Sequence, residues 1–411
     1  SANADVAFVV TEGNGSLNAF RAKSDSTGKA SASFTLGNNG ASNRVEARAA
    51  FTQQVVAFTA TTNSGVANKV ALVSGSNQTG QVGAKLLQPL VVKVTDANNA
   101  NITKFPVEFE TVRGGGKTTA HNIVLNPGFE FDVNEVPTDW NLDGAPTAQE
   151  VRVVAQPKRS GVQSLAITSS RANIGLTQAV PYESNVTYYL SFYAKIDSGV
   201  LRVLWRMNDA NGNFVDKIFD IGAEATGANW QHFAISATNG LAGKRNLYFR
   251  TNGKGYFYID DVKIIPATDS NGQLAASWTL GDTAGTQQVQ ALALGTSAGL
   301  NGSPVLFNAQ ANAAAAAKLV EASGNNQLGS ANQPLGAPFA AKVTDNFGNG
   351  VANVNVQFQV ASGNGKLGNG TATQSIATNA NGLANVTLTL GPNSGAANTV
   401  SASANGLSGS P

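Results

Sequence analysis

A block of sequence returns in this chain at constant spacing, and then the spacing breaks. Ser74-Gly75-Ser76-Asn77-Gln78 reappears as Ser323-Gly324-Asn325-Asn326-Gln327, 249 residues on. Lys93-Val94-Thr95-Asp96 reappears as Lys342-Val343-Thr344-Asp345, and Gly116-Lys117 as Gly365-Lys366, at the same offset. Past that point the offset falls to 110. Asn271-Gly272 and Trp278-Thr279-Leu280-Gly281 match Asn381-Gly382 and Leu388-Thr389-Leu390-Gly391. The difference, 139 residues, is the length of a segment present in one repeat and missing from the other. The chain therefore reads as a repeat array in which one repeat carries a passenger in a loop.

The 411 residues exceed one ordinary domain. The repeats divide them into residues 1–65, a unit formed by 66–121 with 267–315, the passenger 122–266, and a last unit 316–411. Only 13% of residues are charged, and Gly alone numbers 44. Low charge with many small, turn-forming and β-branched residues predicts an all-β chain of short strands and tight turns. Cysteine is absent, so stability must come from packed sheets. The net charge of +2 gives no electrostatic drive toward nucleic acid or an anionic membrane. No run approaches the roughly 18–20 apolar residues that cross a bilayer. Ser1-Ala2-Asn3-Ala4 leads directly into a predicted strand, so the segment reads as a piece of a longer secreted protein.

The last unit shows the repeat most clearly. Phe339-Ala340-Ala341-Lys342-Val343 runs into the turn Thr344-Asp345-Asn346-Phe347-Gly348-Asn349-Gly350. Val354, Val356, Phe358 and Val360 then alternate, which buries one face of a strand. Val386, Leu388 and Leu390 do the same further on. Strands separated by turns in this way predict a β-sandwich. Val56-Ala57-Phe58-Thr59-Ala60 matches the closing strand Val305-Leu306-Phe307-Asn308-Ala309, again at an offset of 249. Val6-Ala7-Phe8-Val9-Val10 matches Val356-Gln357-Phe358-Gln359-Val360. The first unit therefore lacks opening strands and the last lacks a closing strand. Both are expected to leave open sheet edges and an exposed core face, completed either by flanking repeats or by a neighbouring chain. Asp96, Asn98, Asp345 and Asn349 read as side chains bracing tight turns, with calcium as the other reading.

These repeats resemble the bacterial Ig-like domains of group 1, the stalk modules of invasin- and intimin-type surface proteins. The resemblance rests on the Val-Thr-Asp turn, the Phe358-to-Gly365 strand end, the strand closing at Leu390-Gly391 and the Val305-to-Ala309 closing strand. It implies an extracellular or bacterial cell-surface spacer, with self-association through these domains as a further possibility.

The passenger opens with Leu125-Asn126-Pro127-Gly128-Phe129-Glu130 and closes with Tyr258-Ile259-Asp260-Asp261-Val262-Lys263-Ile264. Between them lie Pro137-Thr138-Asp139-Trp140, Tyr188-Tyr189-Leu190-Ser191-Phe192-Tyr193-Ala194-Lys195 and Asn229-Trp230-Gln231-His232-Phe233. This ordered set resembles the carbohydrate-binding modules of families 4, 9, 16 and 22, which are jelly rolls. The resemblance implies a polysaccharide or glycan partner and a structural calcium. Glu130 and Asp261 stand where the families place carboxylate ligands, and carbonyls near Gly128 and Ser160 would complete an oxygen shell. Trp140 and Trp230 stand where the families place core residues.

A sugar needs aromatic faces for its apolar side and planar polar groups for its hydroxyls. Leu201, Val203, Trp205 and Met207 share one face of a strand, and Arg202, Leu204, Arg206 and Asn208 share the other. The first face reads as buried, although Trp205 stays among the ligand candidates. Tyr193, Arg206, Tyr248 and Arg250 are expected to line the outer face of one sheet and suit a polar or acidic glycan. Catalysis is not expected. Asp132, Glu135, Asp216 and Asp220 are placed by no motif, and His121 and His232 have no nucleophile elbow. The alternative to glycan binding is a structural subunit of an extracellular filament or surface layer, with the jelly roll mediating packing.

Overall fold

A computed structural model describes every residue except 14, 38–41, 50–53, 62–64, 228, 295–298 and 411. The chain is all-β, a series of β-sandwiches with a jelly-roll sandwich inserted into one of them. The last unit stacks a sheet of Lys318–Ser323, Phe339–Thr344 and Leu383–Val386 on a sheet of Thr373–Ala377, Asn355–Ser362 and Thr399–Ser403. The alternation that predicted its core holds, since Val356 and Phe358 are buried while Gln357 and Gln359 are exposed. The interrupted unit repeats this plan. Val107–Arg113 pairs with Gly285–Ala293, which pairs with Val305–Asn312, and Gln78–Gln81 adds to that strand in parallel.

The insertion shares a strand with its host. The last strand of the jelly roll, Gly255–Pro266, runs on to Ala267, which bridges Pro106. In the last unit the counterpart pair, Asn355 with Ala377, belongs to the strand Thr373–Ala377. The tail of the jelly roll thus stands where an uninterrupted unit has a strand of its own. Thr268 anchors the join, accepting from Phe105 N–H at 2.9 Å and donating to Ile102 O at 2.7 Å. Thr378 makes the same two bonds to Val354 and Val351. Asn122 ties the entry to the exit, accepting from Ile264 N–H and donating to Val262 O. Lys263 of the jelly roll pairs with the host's buried Glu108 at 2.9 Å. A shared ladder and a charge pair on the host's buried Glu108 thus join the module to its host.

Among the described residues, two five-stranded sheets form the jelly roll. One orders Asn141–Asp143, Gly175–Tyr182, Gly243–Thr251, Val200–Asn208 and Phe214–Gly222; it is called here the Trp205 sheet. The other orders Val151–Val154, Ser164–Ser169, Gly255–Pro266, Val186–Ser198 and Gln231–Asn239; it is the Tyr193 sheet. One helical turn, Ala223–Thr226, crosses between their edge strands. Buried Thr226 fastens that turn, accepting from Ile196 N–H at 3.1 Å and donating to Ile196 O at 3.0 Å.

The first unit departs from the expected exposed core face. Its sheet of Arg21–Lys23, Asp5–Glu12, Ser42–Ala49 and Val55–Thr61 packs against the edge of the jelly roll, and the two share one apolar core. Phe20 inserts between Phe219 at 5.3 Å and Phe233 at 5.5 Å, ring centre to ring centre. Arg21 bridges Asp5 and Glu224, and Arg48 donates to Ala225 O at 2.9 Å. Burial of Phe8, Leu17 and Phe20 against the module drives this contact. The outer strand keeps open apolar surface, with Val56 and Phe58 each 56% exposed. The two turn motifs are braced by their own acids. Asp96 accepts from Asn98 and Ala100 N–H, and Asp345 from Phe347 and Asn349 N–H. Asn349 also reaches the preceding unit, donating to Asp282 O at 2.8 Å and accepting from Ala284 N–H at 2.9 Å.

Candidate functional site

The outer face of the Trp205 sheet is built by alternation. Along Val200–Asn208, Leu201, Val203, Trp205 and Met207 point into the core and are essentially inaccessible. Arg202, Leu204, Arg206 and Asn208 therefore point out. Register places Arg202 opposite Asp220 and Arg250, and Leu204 opposite Ile218 and Tyr248. Arg250 in turn lies opposite Gly175, and Gly175 opposite Asp143. One row thus crosses all five strands, with charges on four of them and Gly175 on the fifth, and a row centred on Tyr248 lies beside it.

The charges in these rows are matched. Arg202 grips both oxygens of Asp220, and Arg206 both oxygens of Asp216, every contact at 2.8 Å. Arg250 pairs with Asp143 and lies over the Tyr248 ring, 4.0 Å from its centre. Hydrogen bonding from Arg206 holds the Asp216 carboxyl below its usual range, and Asp220 and Asp216 push the Arg202 and Arg206 guanidinium groups further up. Fork-to-fork pairs of this kind fix planar donors and acceptors in one orientation. Asp216 and Asp220 are thus each engaged by an arginine through both carboxylate oxygens.

Sequence reasoning missed Phe214. It stands opposite Asn208, is 63% exposed, and has the guanidinium groups of Arg206 and Arg245 at 5.0 and 5.3 Å from its ring centre. Ile218, 51% exposed, adds apolar surface on the same strand. Alternation along Phe214–Gly222 puts Phe214, Asp216, Ile218 and Asp220 on one face, and that signal was available in the sequence.

Two expected site residues fall elsewhere. Tyr193 belongs to the other sheet, so it lies across the sandwich from Arg206, Tyr248 and Arg250. There it neighbours His232 at 4.9 Å, with Arg159 stacked 4.5 Å from its ring centre. Trp205 is fully buried and donates its indole N–H to Tyr182 Oη at 2.7 Å, out of reach of any ligand. Trp230, expected in the core, is half-buried on the Tyr193 sheet, 6.5 Å from Tyr258. Trp140 does lie in the core, against Phe129 and Phe249.

The metal candidates converge, with one exchange of roles. Asp260, not Asp261, is the fully buried carboxylate. It accepts from Arg159 and Ser160 N–H through Oδ2 and from Asp261 N–H through Oδ1. Burial pushes its pKa up to about 6, against those three bonds. Asp261, at φ +53°, turns outward and accepts from the Ser160 hydroxyl at 2.6 Å. Glu130 accepts from Val162 N–H at 2.9 Å. Carboxylate oxygens of Glu130 and Asp260 both face the Gly128 Cα, where a Cβ would stand 3.4 Å from one and 3.7 Å from the other. At Gly161 a Cβ would come within 1.5 Å of Glu130 Oε1, so only glycine leaves that oxygen its place. The side-chain donors brought together here are all oxygen, the carboxylates of Glu130 and Asp260, a chemistry that fits calcium. Among the described residues no group of three or more His, Cys, Asp or Glu side chains forms a metal cluster.

No protein-family model matches this chain, and no curated protein does. Among solved structures, it is similar to a xylan-binding CBM22-1 domain from Paenibacillus barcinonensis, with 20% identity, 39% of this chain and 100% of that one covered, and a TM-score of 0.30. It is similar to a family 61 carbohydrate-binding module in complex with β-1,4-galactotriose, with 19% identity over 36% of this chain and 99% of that one, TM-score 0.28. It is also similar to the enzymatically active domain of bacteriophage CBA120 tailspike protein 4, with 19% identity over 35% of this chain and TM-score 0.30; the match spans only 21% of that protein.

Proposed function

We propose that the inserted jelly roll binds a glycan without cleaving it, through the outer face of the Trp205 sheet. The Ig-like units would display it as the stalk of an extracellular or bacterial surface protein, in the manner of an adhesin. The observation that carries this reading is the pairing of exposed Phe214 and Ile218, and partly exposed Tyr248, with the oriented Arg–Asp pairs of the same face. Rings offer a sugar its stacking surface, and forked pairs offer hydroxyls a donor and an acceptor side by side. Of the polar or acidic glycans expected from the sequence, this geometry favours the polar, uncharged class. Arg202, Arg206 and Arg250 each already hold a carboxylate, so a uronate at any of them would have to displace Asp220, Asp216 or Asp143, whereas Arg245 beside Phe214 bonds only neutral acceptors, Asn208 Oδ1 and Lys244 O. Neutral, hydroxyl-rich glycans are the better fit.

A glycan array probed with the whole chain tests this. Binding to neutral glycans, little changed by added salt and with the glycan recovered intact, is the expected result. Binding confined to uronate-bearing glycans would overturn the neutral class alone, and silence across the array would overturn glycan binding. The rival reading, a structural subunit whose jelly roll packs, draws on the burial of Phe20 at the module's edge; silence with self-assembly would favour it.

Calcium belongs to the same proposal, as a structural ion held by Glu130 and Asp260 with main-chain oxygens near Gly128. It would neutralise two converging carboxylates and tie the opening segment to the last strand. At calcium about 100-fold above its Kd, binding adds roughly 2.7 kcal/mol to the module's stability. Chelation is therefore expected to lower the melting transition of the jelly roll and leave that of residues 316–411 in place. Gly161→Ala, which crowds Glu130, should remove most of the chelator's effect. A jelly-roll transition indifferent to calcium and chelator in the wild-type chain contradicts the assignment.

A further inference from the structure

The jelly roll holds seven arginines, and six of them are engaged. Arg171, Arg202, Arg206 and Arg250 pair with carboxylates, while Arg152 and Arg245 donate to neutral oxygens. Arg159 is the exception. Among the described residues its guanidinium donates to no acceptor and pairs with no carboxylate, and the residue is exposed. Its place is nonetheless fixed. Buried Asp260 accepts from Arg159 and Ser160 N–H at 2.9 and 3.1 Å, and Glu130 accepts from Val162 N–H at 2.9 Å, so this segment lies against the Tyr193 sheet. The guanidinium rests over the Tyr193 ring, 4.5 Å from its centre. A guanidinium seated on a ring uses its face and leaves its in-plane N–H donors free. His232, opposite Tyr193 in the ladder, is exposed, with its ring centre 4.9 Å away. Arg152 reaches the same outer face, opposite Ala166 and one strand beyond Tyr258, and donates only to Gln149 O. Two guanidinium groups on this side of the sandwich are thus without a carboxylate.

We propose that the outer face of the Tyr193 sheet is a second ligand site of the module, specific for a uronic acid, with the sugar carboxylate held by Arg159 and the sugar ring against His232. It lies across the sandwich from the face proposed for neutral glycans and does not rest on that reading. A planar carboxylate takes two arms of a guanidinium fork in one plane, through two parallel N–H···O bonds. At Arg159 nothing has to be displaced first, whereas at Arg202, Arg206 and Arg250 a resident aspartate stands in the way. The stack on Tyr193 and the main-chain bonds to Asp260 hold Arg159 in place before the ligand arrives, which lowers the ordering cost of binding. The exposed His232 ring beside it gives the apolar side of the sugar a surface. Arg152 adds positive potential on the same face and favours a chain of uronates over a single one.

The test titrates a β-1,4-linked triglucuronate, and its methyl ester as the uncharged control, into the whole chain carrying Tyr248→Ala, which silences the face proposed for neutral glycans. The expected result is triglucuronate binding that weakens with added salt and exceeds the ester's by about tenfold or more. Adding Arg159→Gln, a change at an exposed side chain, should leave the melting transitions in place and reduce triglucuronate affinity about tenfold or more, the loss of a charge-assisted pair. Arg159→Lys, which keeps the charge without the fork, should recover only part of it. No binding of triglucuronate, equal binding of acid and ester, or full affinity in Arg159→Gln overturns the proposal. Loss in Arg245→Gln with full affinity in Arg159→Gln would put the carboxylate beside Phe214 on the Trp205 sheet, and overturns it as well.

Discussion

Trp205→Ala is expected to destabilise the jelly roll by roughly 3–5 kcal/mol, the range of large aromatic deletions in packed cores. Trp205 is fully enclosed, and its indole is the hydrogen-bond partner of Tyr182 Oη, itself buried. Losing the ring opens a cavity and also strips that hydroxyl of its donor, a further cost of about 1–3 kcal/mol where no water replaces it. Trp205→Phe should recover most of the packing and keep only the second cost. Trp230→Ala should cost much less, because Trp230 is half-buried on an outer face. Calorimetry of the three variants checks the ordering. A Trp205→Ala module that melts with the wild type would mean the core is not packed as described.

Phe20→Ala should have the second large effect, and its form matters as much as its size. Phe20 belongs to the first unit by sequence but sits among Phe219 and Phe233 of the jelly roll, with 3% of its surface exposed. Removing it should cost roughly 3–5 kcal/mol at that junction. Elements that share one core unfold together, so the wild-type first unit and jelly roll are expected to melt in a single transition. In Phe20→Ala the first unit should melt separately and at lower temperature. Two transitions in the wild type, with Phe20→Ala changing neither, would contradict the shared core.

The sequence revealed the array and its insertion because homologous strands keep their spacing until foreign residues intervene. It also revealed inward and outward faces along single strands, as for Leu201 to Asn208, since a pleated strand alternates whatever it packs against. Alternation does not say which sheet a strand joins. Tyr193 has the same outward parity as Tyr248, yet pairing with Asp260 and His232 puts it on the opposite side of the sandwich. The exchange of Asp261 for Asp260 has a local cause. The pairing of Val186–Ser198 with Gly255–Pro266 shifts register between Ser191 and Tyr193, and Asp261 takes a positive φ, so parity counted along the strand fails there. The burial of the first unit against the jelly roll depends on contacts some 200 residues apart, such as Phe20 with Phe219, and no local pattern encodes them.

The central claim, that a glycan is held on the outer face of the Trp205 sheet, is tested most directly by comparing three proteins against one glycan: the wild-type chain, Tyr248→Ala and Tyr193→Ala. Both variants remove a partly exposed tyrosine, and surface changes of this kind cost within about 0.5 kcal/mol of stability. The two tyrosines lie on opposite sides of the sandwich. Titration of a neutral oligosaccharide bound by the wild type should show affinity reduced about tenfold or more in Tyr248→Ala and unchanged in Tyr193→Ala. Full affinity in Tyr248→Ala together with loss in Tyr193→Ala would place the ligand on the other sheet and contradict the account.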